Sequence, residues 1–385
     1  MAIHDDVIST VSLEFSAVAR EKSSSGHKLI SLGLGEPGFD TPKDIIDAAF
    51  RSMVSGESRY SSPWGLPELL SSINKKIKIA TGIDRKNTET VVTIGAKQSL
   101  TLALTSILEP GDEVIIFSPC YVSFKPQVLL AEYSAKVIEL DLDELFEIDI
   151  DKFKSSISFK TKAVLLNFPN NPTGKIITHE KQQVFVDICK EKNLFIISDE
   201  IYSQLLFSGE KFYSFGTFWN DYEKIFVIDG FSKAYSMTGW RIGYLSGPET
   251  YIKKCVTVQQ HTITNIPVFI QRAAIAALNL DENPSENYKI QLSDNEKYLK
   301  QVLESTKDVE YVRSQGGMFC FLKINKNIGG SDQFCSGLLK KYSVAATPGK
   351  LFGASWDRYV RVSLGVTRDE FKEGIDLLVK YVKEI

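Results

Sequence analysis

Short runs of β-branched and apolar residues alternate with helical patterns between Val91 and Ser246, and this alternation limits the folds that the chain can adopt. Several runs are almost continuously apolar, which is typical of strands buried on both faces of a parallel sheet. The patterns between them predict helices, for example Ser99–Leu108 and Glu180–Lys192. We therefore expect an α/β domain with a mostly parallel central sheet. The six predicted strands are Val91–Ile94, Glu113–Phe117, Ala163–Asn167, Leu194–Ser198, Ile225–Asp229 and Ile242–Ser246.

After about Pro284 the pattern changes to one that is typical of a smaller α+β domain. We expect residues 45–283 to form the large domain, residues 284–385 to form the small domain, and residues 1–44 to be an N-terminal segment that packs with the small domain. The predicted elements of the small domain are the helix Glu286–Thr306, the strands Val309–Arg313 and Phe319–Ile324, the helix Asp332–Tyr342, the strand Tyr359–Ser363 and the helix Arg368–Val382.

The composition excludes several classes of protein. Of the 385 residues, 43% are hydrophobic and 24% are charged, which is not the balance of a mostly disordered chain. The net charge of −3 creates no overall field that would recruit nucleic acid or anionic lipid. No apolar run approaches the ~20 residues of a membrane helix, and the first six residues do not resemble a signal peptide.

The five cysteines are odd in number, widely scattered and without a CxxC pair. This pattern argues against a disulfide framework and against structural zinc. We therefore expect no metal site, and we expect the protein to be cytoplasmic, where thiols stay reduced.

The segment Gly33–Gly38 matches the pattern GxGxxG and follows the strand-like run Lys28–Leu32. In a dinucleotide-binding fold, the third glycine opens a helix whose first N–H groups bind a pyrophosphate. Here Pro37 and Pro42 delay any helix until after Pro42. We interpret the segment as a structural loop, and the alternative of a nicotinamide-dependent oxidoreductase rests on this match alone.

The sequence FSKAYSMTGWRIG, from Phe231 to Gly243, carries the most chemical information. A lysine directly after a strand is usually solvated, but Lys233 lies among small and aromatic residues, between Ser232 and the later Arg241. A lysine in a partly dry pocket near another cation loses proton affinity and becomes a nucleophile toward aldehydes. Ser232 and Arg241 together could hold a phosphate group.

The same segment resembles the lysine signature of the class I/II aminotransferases, which are pyridoxal-phosphate enzymes of fold type I. Further motifs occur in the family's order, and the resemblance extends from about Ile30 to the C-terminus. It implies that Lys233 holds pyridoxal 5′-phosphate. It also implies that Lys233 acts as the general acid and base that moves a proton between the substrate's Cα and the cofactor.

The sequence TIGAKQ, residues 93–98, is a strand that runs through a glycine into a helix, which presents unpaired N–H groups to an anion. An ordinary strand-to-helix turn is an equally good interpretation of these residues alone. The resemblance implies that Gly95, Ala96 and Lys97 cradle the cofactor's phosphate together with Ser232 and Arg241. The main-chain N–H groups, rather than the Lys97 ammonium, would make the contact.

The sequence NFPNNPTG, residues 167–174, ends a buried strand and could simply form a tight turn. The resemblance implies that Asn171 in this loop donates a hydrogen bond to the cofactor's phenolate oxygen. Asp199 also follows a strand and could simply cap the next helix. The resemblance implies instead that Asp199 pairs with the protonated pyridine nitrogen, so that the ring can accept electrons, and that Tyr202 shares the phenolate oxygen.

Two tyrosines complete the implied cofactor site. Tyr121 closes another predicted strand, and the resemblance implies that its ring stacks on the pyridine ring. Tyr60 lies in the sequence YSSPWG, which in relatives crosses from the partner subunit. Tyr60 would then reach the phosphate of the other subunit, which implies a homodimer with active sites at the interface.

Arg361 lies in the predicted strand YVRVS, residues 359–363, and a solvated edge arginine is one interpretation of it. The resemblance implies instead that Arg361 binds the substrate's α-carboxylate, with Gly35 and Asn171 completing that site. Gly35 would allow the substrate to approach the backbone closely, which gives the Gly33–Gly38 loop a role.

Three further positions bear on the site. Gly230 lies three residues before Lys233, where some relatives carry a phosphate-binding serine or threonine. Phosphate binding would therefore depend more on Ser232, Arg241 and the helix terminus. Ser12 and His261 lie where relatives place substrate-facing groups, although an exposed serine and a structurally bonded histidine are the commoner outcomes.

The leading functional prediction is an aminotransferase that moves the amino group of a 2-amino acid to a 2-oxo acid. The same motifs also occur in lyases and other elimination enzymes of this fold, which are the alternative. A cofactor-binding regulator would need a DNA-binding domain, and about 30 residues before the matching region are too few to form one. No motif fixes the side-chain specificity.

Overall fold

The structure is a computed structural model that describes Val7 and residues 29–385. Ser12 lies outside the described residues. From residue 29 to residue 278 the regular elements are β1 (Ile30–Ser31), α1 (Lys43–Val54), α2 (Pro67–Thr81), β2 (Thr90–Thr93), α3 (Gly95–Ile107), β3 (Glu113–Ser118), α4 (Phe124–Ala131), β4 (Lys136–Asp141), α5 (Ile150–Ser156), β5 (Thr161–Asn167), α6 (His179–Glu191), β6 (Phe195–Asp199), β7 (Ile225–Gly230), β8 (Gly243–Ser246), α7 (Glu249–Thr262) and α8 (Val268–Leu278). The elements that follow are α9 (Ser285–Leu303), β9 (Val309–Tyr311), β10 (Phe319–Ile324), α10 (Ser331–Tyr342), β11 (Val344–Ala345), β12 (Thr347–Pro348), β13 (Tyr359–Ser363) and α11 (Arg368–Glu384).

The central sheet has seven strands in the order β2-β8-β7-β6-β5-β3-β4. The strands from β7 to β4 pair in parallel, whereas β8 is antiparallel to both of its neighbours. The predicted mostly parallel sheet is therefore confirmed. The edge strand β4 was not predicted, because its exposed and half-buried polar residues interrupt the apolar run that marks a buried strand.

Helices cover both faces of this sheet. Successive strand residues point to opposite faces, so Ile115 packs in one apolar core with Ile73 of α2 and Phe185 of α6. Its neighbour Ile116 packs in a second core with Leu104 of α3. Burial on both faces explains why these strands contain so few polar residues.

The small domain is built on the antiparallel sheet β12-β13-β10-β9. The short strand β1 pairs in parallel with β11, and Ile30 and Leu32 join the apolar core that contains Leu322 and Phe371. The chain from residue 30 therefore starts against the small domain. No described helix is both long enough and apolar enough to cross a membrane.

In the described part of the strand-like run, residues 29–32, the strand covers Ile30–Ser31, and the first described helix begins at Lys43, directly after Pro42. The GxGxxG loop therefore does not lead directly into a helix, as its two prolines predict. Strands β5, β6 and β7 are parallel neighbours and end at Asn167, Asp199 and Gly230. Their carboxyl ends meet at one edge of the sheet, which is where ligands bind in open α/β folds.

Candidate active site

Lys233 lies just beyond β7, and its Nζ donates a hydrogen bond of 2.6 Å to the carbonyl oxygen of Gly35. Burial lowers the pKa of Lys233 to about 8, because the ammonium loses water; Glu36 opposes this shift, whereas Arg361 and Arg241 add to it. Lys233 is therefore an amine that is easily deprotonated, as its sequence context predicts.

The loop that follows β1 packs over the Lys233 segment. Thr41 Oγ1 donates to the carbonyl of Ser236 at 2.6 Å and accepts from Trp240 Nε1 at 3.1 Å. The Ser236 hydroxyl in turn donates to the carbonyl of Phe39. These bonds hold the Gly33–Gly38 loop beside Lys233. The GxGxxG pattern of the loop did not predict this position.

Asp199 ends β6 and is only 9% exposed. Its Oδ1 accepts a hydrogen bond from the backbone N–H of Ile201 at 3.2 Å, so it does cap the turn that follows. Burial, with a contribution from the nearby Asp229, raises the pKa of Asp199 to about 7, although the Ile201 N–H and Lys233 oppose this shift. A carboxyl group in this state would be stabilised in its charged form by a cationic partner.

The loop after β5 is pinned to the end of β6. Asn167 Nδ2 donates to the carbonyl of Asp199 at 2.9 Å, and Asn167 Oδ1 accepts from the N–H of Asn171 at 2.9 Å. Asn171 is buried at the end of this bridge. The sequence analysis missed Asn167 as the residue that fixes the loop, although its place at a strand end next to two prolines was a signal.

Arg361 is buried, with an exposed fraction of 8%, so it is not a solvated edge residue. Its Nη1 donates to Asn171 Oδ1 at 3.0 Å, and its Nη2 donates to the Gly33 carbonyl at 2.9 Å and to Thr347 Oγ1 at 3.2 Å. Burial lowers the pKa of Arg361 to about 10, which leaves the guanidinium charged at neutral pH. Its Nε is buried without a partner.

Two aromatic rings hold the Arg361 guanidinium. Its Cζ lies 3.9 Å from the centroid of Phe319 and 5.0 Å from that of Phe352. Such cation–π contacts gain strength where water is excluded. The sequence analysis missed both rings, since their contact with Arg361 depends on tertiary packing of the small domain.

Tyr202 and Tyr121 lie in the same region. Tyr202 is buried, and burial raises its pKa well above the ordinary value, while Arg361 opposes this shift and Asp199 and Tyr121 add to it. Lys233 Nζ lies 5.9 Å from the centroid of the Tyr202 ring. The half-buried Tyr121 has Lys97 Nζ 5.7 Å from its ring centroid.

Helix α3 begins at Gly95, which has the left-handed φ of +73° that favours glycine. A Cβ at Gly95 would lie 2.7 Å from Arg241 Nη2, so the guanidinium lies directly against the helix N-terminus. A Cβ at Gly243 would lie 2.8 Å from the backbone nitrogen of Ala96. Because the first N–H groups of a helix have no partner within it, this cationic corner can bind an anion.

Ser232, which directly precedes Lys233, is buried. The glycine at position 230 has a packing reason: a Cβ there would lie 3.0 Å from Gly243 Cα and 3.2 Å from the Ile242 carbonyl oxygen. A serine or threonine at position 230 would therefore crowd strand β8.

Two predicted residues lie on the surface of the chain. Tyr60 is 88% exposed. His261 is exposed in the last turn of α7. Neither exposed residue contributes a described contact to the buried groups around Lys233. Among the described residues, no group of three or more His, Cys, Asp or Glu side chains could hold a metal ion.

Residues 27–378 match the model of the family described as aminotransferase class I and II. The chain belongs to the class I and II aminotransferases. The aspartate aminotransferase of Thermotoga maritima is 36% identical over 372 residues, which cover 96% of each chain. That of Bacillus subtilis is 35% identical and covers 97% of this chain and 96% of its own.

Crystal structures of class I and II aminotransferases share the fold. A structure of aspartate aminotransferase from Thermotoga maritima superposes with a TM-score of 0.91 at 33% identity and covers 98% of both chains. The aromatic aminotransferase of Pyrococcus horikoshii superposes with a TM-score of 0.89 at 31% identity and covers 95% of this chain and 99% of its own. The fold type I prediction is confirmed.

As a class I and II aminotransferase, the protein is an enzyme that uses pyridoxal 5′-phosphate and moves the amino group of a 2-amino acid to a 2-oxo acid. The predicted family, cofactor and reaction type are confirmed. The alternative of an oxidoreductase that binds a nicotinamide nucleotide through the Gly33–Gly38 loop is not confirmed.

Proposed function

We propose that Lys233 carries the pyridoxal phosphate of this aminotransferase and that Asp199 pairs with the pyridine nitrogen. The main observation in support is that Lys233, whose pKa is lowered, lies near the buried acid Asp199 and the buried guanidinium of Arg361. The residues fit the cofactor at both ends: the corner of Gly95 and Arg241 suits a phosphate, and Asp199 suits a pyridinium.

The other contacts follow from this placement. Tyr121 would stack on the ring, and Asn171 and Tyr202 would hydrogen-bond its phenolate oxygen. The N–H groups of Ala96 and Lys97, with Ser232, would bind the phosphate alongside Arg241. When bound, the cofactor supplies an electron sink for negative charge at the substrate's Cα.

Lys233 would move the proton of the substrate's Cα. An amine with a pKa of about 8 is partly neutral near pH 7, so it can accept that proton and return it. The carbonyl of Gly35 accepts from Lys233 Nζ and so orients it. The buried Tyr202 ring lies beside it, with its centroid 5.9 Å from Lys233 Nζ.

Arg361 would bind the α-carboxylate of the amino acid, with Asn171 and Gly35 beside it. Two rings and three hydrogen-bond acceptors already fix the guanidinium, so little conformational freedom is lost on binding. Its unpartnered buried Nε is a donor that a carboxylate oxygen could satisfy.

We further propose that the preferred amino donor is aspartate. The relatives named above include aspartate aminotransferases, and Lys97 places an exposed cation beside the Tyr121 ring. Because the backbone rather than this ammonium would bind the phosphate, its charge is available to a side-chain carboxylate.

Aspartate and asparagine test this specificity, since they differ by one charge at nearly constant shape. We expect aspartate to convert the bound cofactor to its amino form at a higher kcat/KM. We also expect Lys97→Met to reduce the ratio of kcat/KM for aspartate to kcat/KM for asparagine by ~10–150-fold, the value of one hydrogen bond to a charged group. Lys136→Met, on the exposed edge strand β4, is the control. Equal use of both amino acids by the unaltered enzyme would contradict the assignment.

We propose that the enzyme is a homodimer in which Tyr60 reaches the phosphate of the partner subunit. Helix α1 supports this proposal, since it exposes an apolar stripe at helical spacing. The exposed fractions of the stripe are 45% for Ile46, 62% for Phe50, 47% for Met53 and 71% for Val54.

We propose a cytoplasmic location, supported by five cysteines that are all free and buried. We also propose that residues 1–44 belong with the small domain of residues 284–385, and that residues 45–283 form the large domain. The pairing of β1 with β11 supports this division.

A further inference from the structure

Asp229 occupies a position that the aminotransferase chemistry described above does not use. It is the second-last residue of β7, it lies four residues before Lys233, and it is only 5% exposed. A buried carboxylate must be paired and hydrogen-bonded to be tolerated. Its partners therefore show what it holds together.

The Asp229 carboxylate joins three parts of the chain. Its Oδ2 accepts from Lys76 Nζ of α2 at 2.7 Å and from the Tyr244 hydroxyl of β8 at 2.9 Å. Its Oδ1 accepts from the backbone N–H of Gly230 at 2.7 Å. Burial opposes the charge on Lys76, but Asp229, Tyr244 and Tyr235 together outweigh burial and raise the pKa of Lys76 above its ordinary value.

The turn between Asp229 and Lys233 has little space in which to move. The backbone at Gly230 packs so closely that a Cβ there would lie 3.0 Å from Gly243 Cα and 3.3 Å from Ile201 Cδ1. This close packing leaves the backbone little room to absorb a shift of the Asp229 carboxylate.

Stability alone is a weak reason for this arrangement. Replacing a buried ion pair with well-packed apolar residues is often neutral or stabilising, because the charges lose their hydration. What the pair provides is a fixed geometry, since three hydrogen bonds define the place of one carboxylate. Its charge also acts on Asp199, whose pKa it raises.

We propose that Lys76 and Tyr244 are positioning residues of the active site, which hold Asp229 and through it the turn that presents Lys233 to the cofactor. This inference rests on the proposed role of Lys233. A misplacement of about 1 Å can cost ~100-fold in rate. Losing the Lys76 contact should therefore reduce turnover while the separate carboxylate site at Arg361 stays intact.

The test compares holoenzymes of Lys76→Met, Lys76→Arg and Tyr244→Phe with Lys78→Met. Lys78 lies on the same helix and pairs with Asp84 at 2.9 Å, but that pair is exposed. The measurements are the melting temperature, kcat, KM for the amino acid, and the rate at which the cofactor leaves during dialysis. Borohydride fixation and mass spectrometry identify the lysine that carries the cofactor in the unaltered enzyme.

We expect Lys76→Met to lower kcat by ~10–100-fold and to speed cofactor loss by ~10-fold or more, with KM within about twofold. Lys76→Arg, which keeps the charge, should retain most of the kcat. Tyr244→Phe should have a kcat between those of Lys76→Met and Lys76→Arg, and Lys78→Met should match the unaltered enzyme.

Normal kcat and cofactor retention in Lys76→Met would overturn the inference. So would equal losses in Lys76→Arg and Lys76→Met with matching drops in melting temperature. A cofactor fixed to another lysine in the unaltered enzyme would instead overturn the proposed role of Lys233.

Discussion

Lys233 shows how its surroundings, rather than its residue type, decide its chemistry. Burial and the cations Arg361 and Arg241 lower its pKa to about 8. The neutral amine, which is the reactive form, therefore increases as the pH rises through about 8. In protein freed of cofactor, we expect the rate of pyridoxal phosphate fixation on Lys233 to rise with pH and to level off above that value.

The rate of fixation between pH 6 and pH 10, trapped with borohydride, checks this prediction. Arg361→Met removes a positive charge that repels the Lys233 ammonium. The pKa of Lys233 should therefore rise, and the midpoint should move to higher pH. A midpoint near the ordinary lysine value of about 10.4 in the unaltered protein would contradict the proposed environment.

Arg361 allows a test of geometry at constant charge. If its guanidinium binds the α-carboxylate through two N–H groups, a lysine cannot reproduce the contact. Arg361→Lys should lower kcat/KM by ~10–150-fold, the value of a hydrogen bond to a charged group. The factor should be similar for three chemically different amino acids, because all share that carboxylate.

The control for Arg361→Lys is the amount of bound cofactor, measured by its absorbance, which should be retained because Arg361 does not touch the proposed phosphate site. A loss confined to one amino acid would indicate a side-chain contact instead. Activity within twofold of the unaltered enzyme would return Arg361 to a structural role.

At the scale of helices and strands, the sequence predicts best the strands that are buried on both faces. Strands buried on both faces appear as apolar runs, so β3, β5, β6 and β7 were predicted to within two residues at each end. Strands β11 and β12 have only two residues each, which is too short for any periodicity. Their place depends on pairing with β1 and β13, which are distant in sequence.

The same limit applies to the site. Lys233, Asp199 and Arg361 are candidates because each lies in a motif that resembles the family's, and their roles stay predictions. The rings of Phe319 and Phe352 were missed, since nothing in the sequence relates them to a guanidinium before the small domain is folded.

Helix α1 gives a prediction about the dimer. Phe50 lies at the centre of its exposed stripe, so Phe50→Asp would place a charge in the proposed interface twice, once from each subunit. Losing two buried phenylalanine side chains costs about 3–6 kcal/mol. We expect sedimentation to show monomers at micromolar concentration, with a nearly unchanged melting transition at high dilution. Ile79→Asp is the control, since Ile79 is an exposed apolar residue of α2 outside the stripe, and a stable Phe50→Asp dimer would place the interface elsewhere.

At the scale of the whole molecule, the candidate site is formed by distant parts of the chain. Arg361 of the small domain contacts Asn171 of the large domain and Gly33 of the loop after β1. The site is therefore complete only when both domains and this loop are assembled. The proposed contribution of Tyr60 extends the same principle to a second subunit.

Mixed dimers test whether Tyr60 acts across the interface. One chain carries Tyr60→Phe and the other carries Lys233→Ala. If Tyr60 serves the partner's site, each mixed dimer contains one site with both native residues, formed by Lys233 of the first chain and the partner's Tyr60. Random mixing makes half of the dimers mixed, so about a quarter of all sites should bind the cofactor with the affinity of the unaltered enzyme.

If Tyr60 acted within its own chain, no site in any mixed dimer would keep both residues. Cofactor titration followed by fluorescence separates the two cases, because Tyr60→Phe alone should weaken binding by ~10–150-fold, the value of one hydrogen bond to a charged group. The titration of each variant by itself supplies the baseline. A mixture that shows only the sum of those two baselines would confine Tyr60 to its own subunit, whereas a tight-binding quarter requires a residue that crosses to the partner.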